Sequence, residues 1–268
     1  MSEGAGRRAL VTGASSGIGL ALAQVLGARG YELVLTARRE DRLQALAREL
    51  AERHGAQSHI VVADLSQADG VARLVESLTQ HSWTVDVLVN NAGYGVPGSY
   101  AGTTWRQQQD FLQVMVIAPS ELTHRLLPGM IERKWGRIIN VASLAGLLPG
   151  VAGHTLYAAS KAFVISFSES LALETAKYGI HVTASCPGFT LTEFHDVIGT
   201  RAQVNRLPKF LWLDAAHVAQ SSYDAVMAGV TVYVPGRVNR SIAALSRLLP
   251  RSVVLRAMKR SAGNFRKT

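Results

Sequence analysis

The sequence predicts an α/β fold: a doubly wound, mostly parallel seven-stranded sheet followed by a basic helical extension. Three observations predict it. Short β-branched and aliphatic runs alternate with longer helical patterns along the chain. Several of those runs are apolar nearly throughout, as expected of parallel strands covered on both faces. The connections are short, and no repeat, low-complexity tract or Pro/Gly linker divides the chain. The strands are expected at Arg8–Thr12, Glu32–Ala37, Ser58–Ala63, Val85–Asn90, Arg137–Ala142, His181–Cys186 and Val230–Val234. Helices are expected at Ile18–Arg29, Glu40–His54, Ala68–His81, Thr104–Lys134, Tyr157–Tyr178 and Ala215–Ala228, the long fourth one as two helices. One domain is expected over residues 1–238, with a basic amphipathic extension over 239–268. Pro250 breaks that extension into two short helices.

With 268 residues, 48% hydrophobic and 18% charged, the chain has enough apolar material for a sizeable core. No apolar run reaches the ~18 residues that span a bilayer, and residues Met1 to Arg8 do not resemble a secretory signal. The single cysteine, Cys186, excludes an internal disulfide, so a reducing, cytoplasmic setting is expected. The net charge of +9 looks like a nucleic-acid signal, but its distribution argues otherwise. Eight of the 28 basic residues and none of the 19 acidic ones lie from Arg240 onward, leaving 20 basic and 19 acidic in the body.

Thr12-Gly13-Ala14-Ser15-Ser16-Gly17-Ile18-Gly19 follows the first strand and opens the first helix. Glycines there let the turn close and the backbone approach a pyrophosphate, which the helix N-terminus favours. Alone the segment is weak evidence, because its spacing departs from G-x-G-x-x-G. Asn90-Asn91-Ala92-Gly93 ends the fourth strand, Ser143 follows the fifth, Tyr157-Ala158-Ala159-Ser160-Lys161 lies on a later helix, and Pro187-Gly188 follows the sixth strand. With these motifs in this order, residues 7–235 resemble the short-chain dehydrogenase/reductase family. The resemblance implies a Rossmann-like sheet and a nicotinamide cofactor. The cofactor would be held by Gly13, Ser15, Ser16, Gly17, Ile18, Gly19, Asn91, Ala92 and Gly93, and by Tyr157 and Lys161. Pro187, Gly188 and Thr190 or Thr192 would close over the nicotinamide amide. Asp64 would receive the adenine amino group, with Leu65 alongside; its plainer reading is an N-cap or turn aspartate.

The second strand ends Thr36-Ala37-Arg38-Arg39, with no carboxylate before Glu40. A ribose 2′-hydroxyl asks for an acid at this place, and a 2′-phosphate asks for a guanidinium. NADP(H) is therefore expected over NAD(H), with Arg38 the first candidate and Arg39 a second contact. The competing reading makes them solvated arginines at a helix start.

Tyr157 and Lys161 stand four apart and share a helix face. A free tyrosine titrates near ~10. A cation ~4–5 Å away contributes roughly 3–4 kcal/mol at an effective dielectric of about 20, enough for about two to three pKa units before desolvation opposes it. The resemblance implies Tyr157 as acid/base, Ser143 on the substrate oxygen and Lys161 on the nicotinamide ribose. Hydride then moves between the cofactor and a carbonyl or secondary alcohol.

One departure stands out. Many family members carry an asparagine that completes a proton relay through water, and alignment from Leu127-Pro128-Gly129-Met130 puts Met115 there. Methionine cannot copy that amide, and core filling is its simpler role. The alternative function this opens is a nucleotide-binding regulator or scaffold with weak or no turnover. The expected cleft segments are Tyr94–Ser99, Leu144–His154 and Phe189–Trp212. They bring Leu144, Leu147, Leu148, Phe189, Phe194, Leu207, Phe210 and Trp212, an apolar lining that suits a small hydrophobic substrate; His154 could reach the pocket, though solvent exposure is the plainer reading of a lone loop histidine. The tail mixes Ile242, Leu245, Leu248, Leu249, Val253, Val254, Leu255 and Met258 with arginines and lysines. Docking onto the body or a neighbouring subunit comes first, peripheral contact with anionic lipid second, and nucleic-acid binding last for lack of a motif. A homo-oligomer is the family analogy, and no metal site is read.

Overall fold

The computed structural model describes residues 2–150, 155–194 and 208–256. His154, Leu207 and Met258 lie outside the described residues. The strands are β1 (Arg8–Thr12), β2 (Glu32–Ala37), β3 (Ser58–Val62), β4 (Val87–Asn90), β5 (Gly136–Val141), β6 (Ile180–Ser185), β7 (Thr190–Leu191), β8 (Leu213–Asp214) and β9 (Val232–Tyr233). Seven of them form one parallel sheet in the order β3-β2-β1-β4-β5-β6-β9. The order reverses between β1 and β4, so a crevice opens at the carboxyl ends of these two strands.

Helices α1 (Gly17–Ala28), α2 (Glu40–His54) and α7 (Ala215–Met227) cover one face. Helices α3 (Gly70–Gln80), α4 (Trp105–Leu112), α5 (Ala118–Glu132) and α6 (Thr155–Thr175) cover the other. β4 and β5 are buried along their whole length, which explains their lack of apolar/polar alternation. Local chemistry sets the helix ends. α2 begins with Glu40 and Asp41, closes with Arg53 and His54 against the macrodipole, and stops at Gly55 with φ +62°.

The long fourth helical stretch is indeed two α-helices, but they are continuous through a π-helical turn, Gln113–Ile117. Pro119 sits just beyond it and has no N–H. The carbonyl of Met115 in an α register, or of Val114 in a π register, therefore finds no donor at residue 119. β7 and β8 form a separate two-stranded parallel ribbon that the sequence did not predict. The expected extension begins as α8 (Arg237–Leu248), and residues 251–256 are again helical after Pro250. Asn239, Ala243 and Val254 are buried, so this part of the chain packs on the body. Among the described residues, no helix is long and apolar enough to cross a membrane, and no group of three or more His, Cys, Asp or Glu could hold a metal.

Candidate active site

The glycine turn between β1 and α1 is fastened to the end of β4. Thr12 Oγ1 accepts from the amides of Asn91 (2.9 Å) and Ala92 (3.0 Å) and donates to the Val89 carbonyl (3.0 Å). Asn91 Nδ2 donates to the Thr12 and Gly13 carbonyls at 2.9 and 3.2 Å. Gly13 and Gly17 have φ of +67° and +58°. A Cβ on Gly13 would lie 2.8 Å from Asn91 Nδ2, and one on Gly19 would lie 2.4 Å from the Gly13 carbonyl oxygen. Glycine is thus required for both backbone conformation and close approach, the cradle a dinucleotide pyrophosphate needs. Asn91 spends its amide holding the turn, and Thr12, quoted within the motif but not singled out, is the central acceptor.

At the end of β2, Arg39 reaches back over this turn. Its guanidinium donates to Ser15 Oγ (3.3 and 3.2 Å) and Ser16 Oγ (2.9 Å). It also pairs with Glu193 at 3.0 Å, and Arg42 pairs with the other carboxylate oxygen of Glu193 at 2.5 Å. These guanidinium bonds hold the Glu193 carboxyl below the usual range, Arg42 first and Arg39 second. Arg38 turns toward Asp64. Burial pushes the Asp64 carboxyl up, but hydrogen bonds from Ser66 and the Arg38 charge outweigh it and leave it low. Asp64 Oδ1 accepts from the Ser66 amide (3.0 Å) and hydroxyl (2.8 Å), a turn geometry. Leu65 is buried beside it.

Tyr157 and Lys161 lie on α6, with Lys161 Nζ 5.8 Å from the centroid of the Tyr157 ring. Ser143 caps the short 3-10 turn Leu144–Gly146 and is hydrogen-bonded to the Tyr157 side chain. That turn meets α6 at Gly146, where a Cβ would lie 2.6 Å from the Lys161 carbonyl carbon. The Leu144 amide donates to the Pro187 carbonyl at 2.9 Å, tying the ends of β5 and β6 together. Three motifs remote in sequence therefore converge on one crevice.

The electrostatics differ from expectation. Tyr157 is half-buried, and burial raises its pKa while the Ser143 bond opposes the rise in part. The lowering expected from spacing alone is not what this geometry gives, because desolvation dominates. Lys161 is 7% exposed, donates to the Val141 carbonyl at 2.6 Å, and is brought by burial to about 8. Cys186 is fully buried nearby; burial pushes its thiol up to about 12, against the fields of Lys161 and Arg247.

Met115 is buried, and a Cβ on Gly93 would lie 2.8 Å from its sulfur, so it fills the core as the simpler reading had it. Beside it is a small cavity with room for about one water, whose lining includes Asn90, Met115, Pro119, Val141 and Lys161. Asn90 Nδ2 donates to Asn140 Oδ1 (2.8 Å) and Thr123 Oγ1 (3.2 Å), while its buried Oδ1 has no partner among the described residues.

Gly188 is packed against Asn239, whose side chain a Cβ would meet at 2.6 Å. Thr190 is buried in β7, and Thr192 lies over the glycine turn, its Cγ2 3.1 Å from where a Gly17 Cβ would stand. Of the expected cleft residues, Phe194 packs its ring 5.7 Å from that of Tyr157, and Phe189 packs against Trp212 at 5.8 Å. Leu147 joins a small cluster with Val164 and Ile165, whereas Phe210 is 68% exposed. Sequence reasoning missed Asn90, Gly146 and Glu193; only Asn90 carried a signal, as the first residue of its motif.

The family model described as short chain dehydrogenase matches residues 7–202. The chain belongs to the short-chain dehydrogenase/reductase family. This member is 37% identical over 245 residues to nodulation protein G of a Rhizobium species, covering 88% of this chain and 98% of that protein. It is 32% identical over 193 residues to a 3-oxoacyl-acyl-carrier-protein reductase of Aquifex aeolicus, covering 72% and 77%. A solved short-chain dehydrogenase from Sphingobium yanoikuyae in complex with NADPH superposes with a TM-score of 0.81 at 30% identity, covering 90% of this chain and 93% of that one. The short-chain dehydrogenase/reductase assignment makes the chain an oxidoreductase on a nicotinamide-binding, Rossmann-like fold.

Proposed function

We propose that this enzyme is an NADP(H)-dependent ketoreductase or alcohol dehydrogenase for a small hydrophobic carbonyl or secondary-alcohol substrate, with Tyr157 as acid/base. The observation that carries the reading is Tyr157 hydrogen-bonded to Ser143 on one side and sharing a helix face with buried Lys161 on the other. The NADPH in the Sphingobium structure and the two arginines ending β2 support the cofactor choice.

The residues fit a dinucleotide: Gly13, Gly17 and Gly19 leave room at the glycine turn for a pyrophosphate, Ser15, Ser16, Arg38 and Arg39 would hold the adenosine ribose and its 2′-phosphate, and Asp64 and Leu65 would hold the adenine. Gly93, Pro187, Gly188, Thr190 and Thr192 would hold the nicotinamide. The bound nicotinamide supplies or accepts the hydride. Ser143 donates to the substrate oxygen, and the Tyr157 hydroxyl gives up its proton in reduction or takes one in oxidation. The Lys161 ammonium stabilises the tyrosinate left behind and orients the ribose. Behind Lys161, the cavity beside Asn90 and Met115 is large enough for one water, which would pass a proton toward the tyrosinate through Lys161 in reduction and carry one away in oxidation, in place of the missing relay amide. Met115 as packing leaves Ser143, Tyr157 and Lys161 intact, so the regulator reading gains no support from it. Assembly as a homo-oligomer, a cytoplasmic setting and docking of the tail on the body complete the proposal. Co-sedimentation with anionic liposomes at low and high salt tests peripheral lipid contact by residues 240–268.

The test follows NADPH absorbance across a panel of hydrophobic ketones and aldehydes. Tyr157→Phe should bind NADPH like the parent and lose about 100-fold or more in kcat. Undiminished turnover in that variant would end the acid/base assignment, and equal affinity for NADH and NADPH would end the cofactor assignment.

A further inference from the structure

The contact between Glu193 and the arginines of the β2 end belongs to neither the fold nor the reaction just described. Arg39 lies where a ribose 2′ substituent is recognised, just past β2 and over Ser15 and Ser16 of the glycine turn. Its guanidinium makes one set of bonds to those hydroxyls and another to Glu193 (3.0 Å), and Arg42 holds the second carboxylate oxygen (2.5 Å). Two guanidinium groups converge on one carboxylate, with two hydroxyls beside them on Arg39, and such a fork is also the donor set that binds phosphate. Glu193 comes from the far end of the chain, 154 residues from Arg39, immediately after the Thr192 that packs on Gly17.

We propose that Glu193 is an internal competitor for the 2′-phosphate site and a specificity-determining residue. It neutralises Arg39 and Arg42 and must give way when a 2′-phosphate arrives. A carboxylate and a phosphate cannot share these arginines without like-charge repulsion. The side chain is 45% exposed, so it can swing into water with little desolvation or packing loss. Glu193 therefore weakens NADPH binding selectively, because NADH brings no group that needs the arginines. The inference rests on the NADP(H) reading above.

The experiment measures dissociation constants of the full chain for 2′-phospho-ADP-ribose and ADP-ribose by titration calorimetry, in wild type and Glu193→Gln. Glutamine keeps the size of the side chain and removes its charge. Glu193→Gln is expected to bind the 2′-phosphorylated probe about 3- to 10-fold tighter, the range open to two exposed ion pairs, and to bind ADP-ribose within about twofold of wild type. Unchanged or weaker binding of the phosphorylated probe overturns the proposal, as does an equal gain for both probes. A wild type without preference that gains one in Glu193→Gln would sink the NADP(H) reading and sustain this one. No preference in either protein would overturn both. Arg39→Ala should abolish the gain in the double variant; a gain that survives assigns the effect elsewhere and also overturns the proposal.

Discussion

Lys161 is where burial, charge and chemistry meet most directly. Burial brings its ammonium to about 8 from an ordinary 10.5. Below about 8 the lysine is protonated whether the chain is folded or unfolded. Between there and 10.5 the unfolded chain holds the proton more often, so raising the pH favours the folded state. The unfolding free energy of wild type minus that of Lys161→Met should therefore rise across that window, as read from urea titrations at several pH values. A flat difference would remove the claim that burial strains the ammonium. Tyr157 and Lys161 were legible as a pair because helical spacing fixes which side chains share a face, and Ser143 was legible only through the family resemblance. The direction of the Tyr157 shift was not legible. Spacing gives the distance to a cation but not the desolvation that outweighs it. Glu193 gave no signal either, since its partners stand more than 150 residues away.

Among the elements, the 3-10 turn Leu144–Gly146 matters most, because it sets Ser143 against α6. Gly146 allows the approach: a Cβ would lie 2.6 to 2.8 Å from the Lys161 carbonyl and the Ala162 amide, and backbone cannot yield as a side-chain tip can. Gly146→Ala should cost about 1–3 kcal/mol of stability and at least about tenfold in kcat, with NADPH affinity little changed. Thermal unfolding and steady-state kinetics on the same preparation check this, and a kcat equal to wild type would disconnect the turn from catalysis. The bounds of β1, β2 and α2 could be read almost residue by residue, since apolar runs and charged ends mark them. β7 and β8 could not, because two-residue strands have no period to detect. The π-turn at Gln113–Ile117 was hidden too, since a single added residue hardly disturbs a helical pattern.

For the molecule as a whole, the stretch from α4 to α6 carries several large apolar side chains that are exposed among the described residues. Leu173 is 84% exposed, Trp105 64%, Ile117 48% and Phe163 41%, the last stacked on Phe167 at 5.9 Å. Patches of this kind mark association sites. Light scattering should find a dimer or tetramer, and Leu173→Glu with Phe163→Glu should shift it toward monomer without lowering the Tm of the isolated chain by more than a few degrees. A monomeric wild type would remove the homo-oligomer from the proposal. The doubly wound parallel sheet was foreseeable from strand–helix alternation, whereas the strand order, the reversal between β1 and β4 and which helix faces stay bare depend on packing that no pattern of residues records. The depth of Cys186 has a practical consequence. Its sulfur is the chain's one thiol, fully enclosed, and reluctant to ionise below about 12. Alkylating dyes and spin labels need an accessible thiolate, so they should pass the native protein by. A cysteine introduced on any exposed helix would then be labelled alone, giving a ready reporter without first stripping the chain of sulfur.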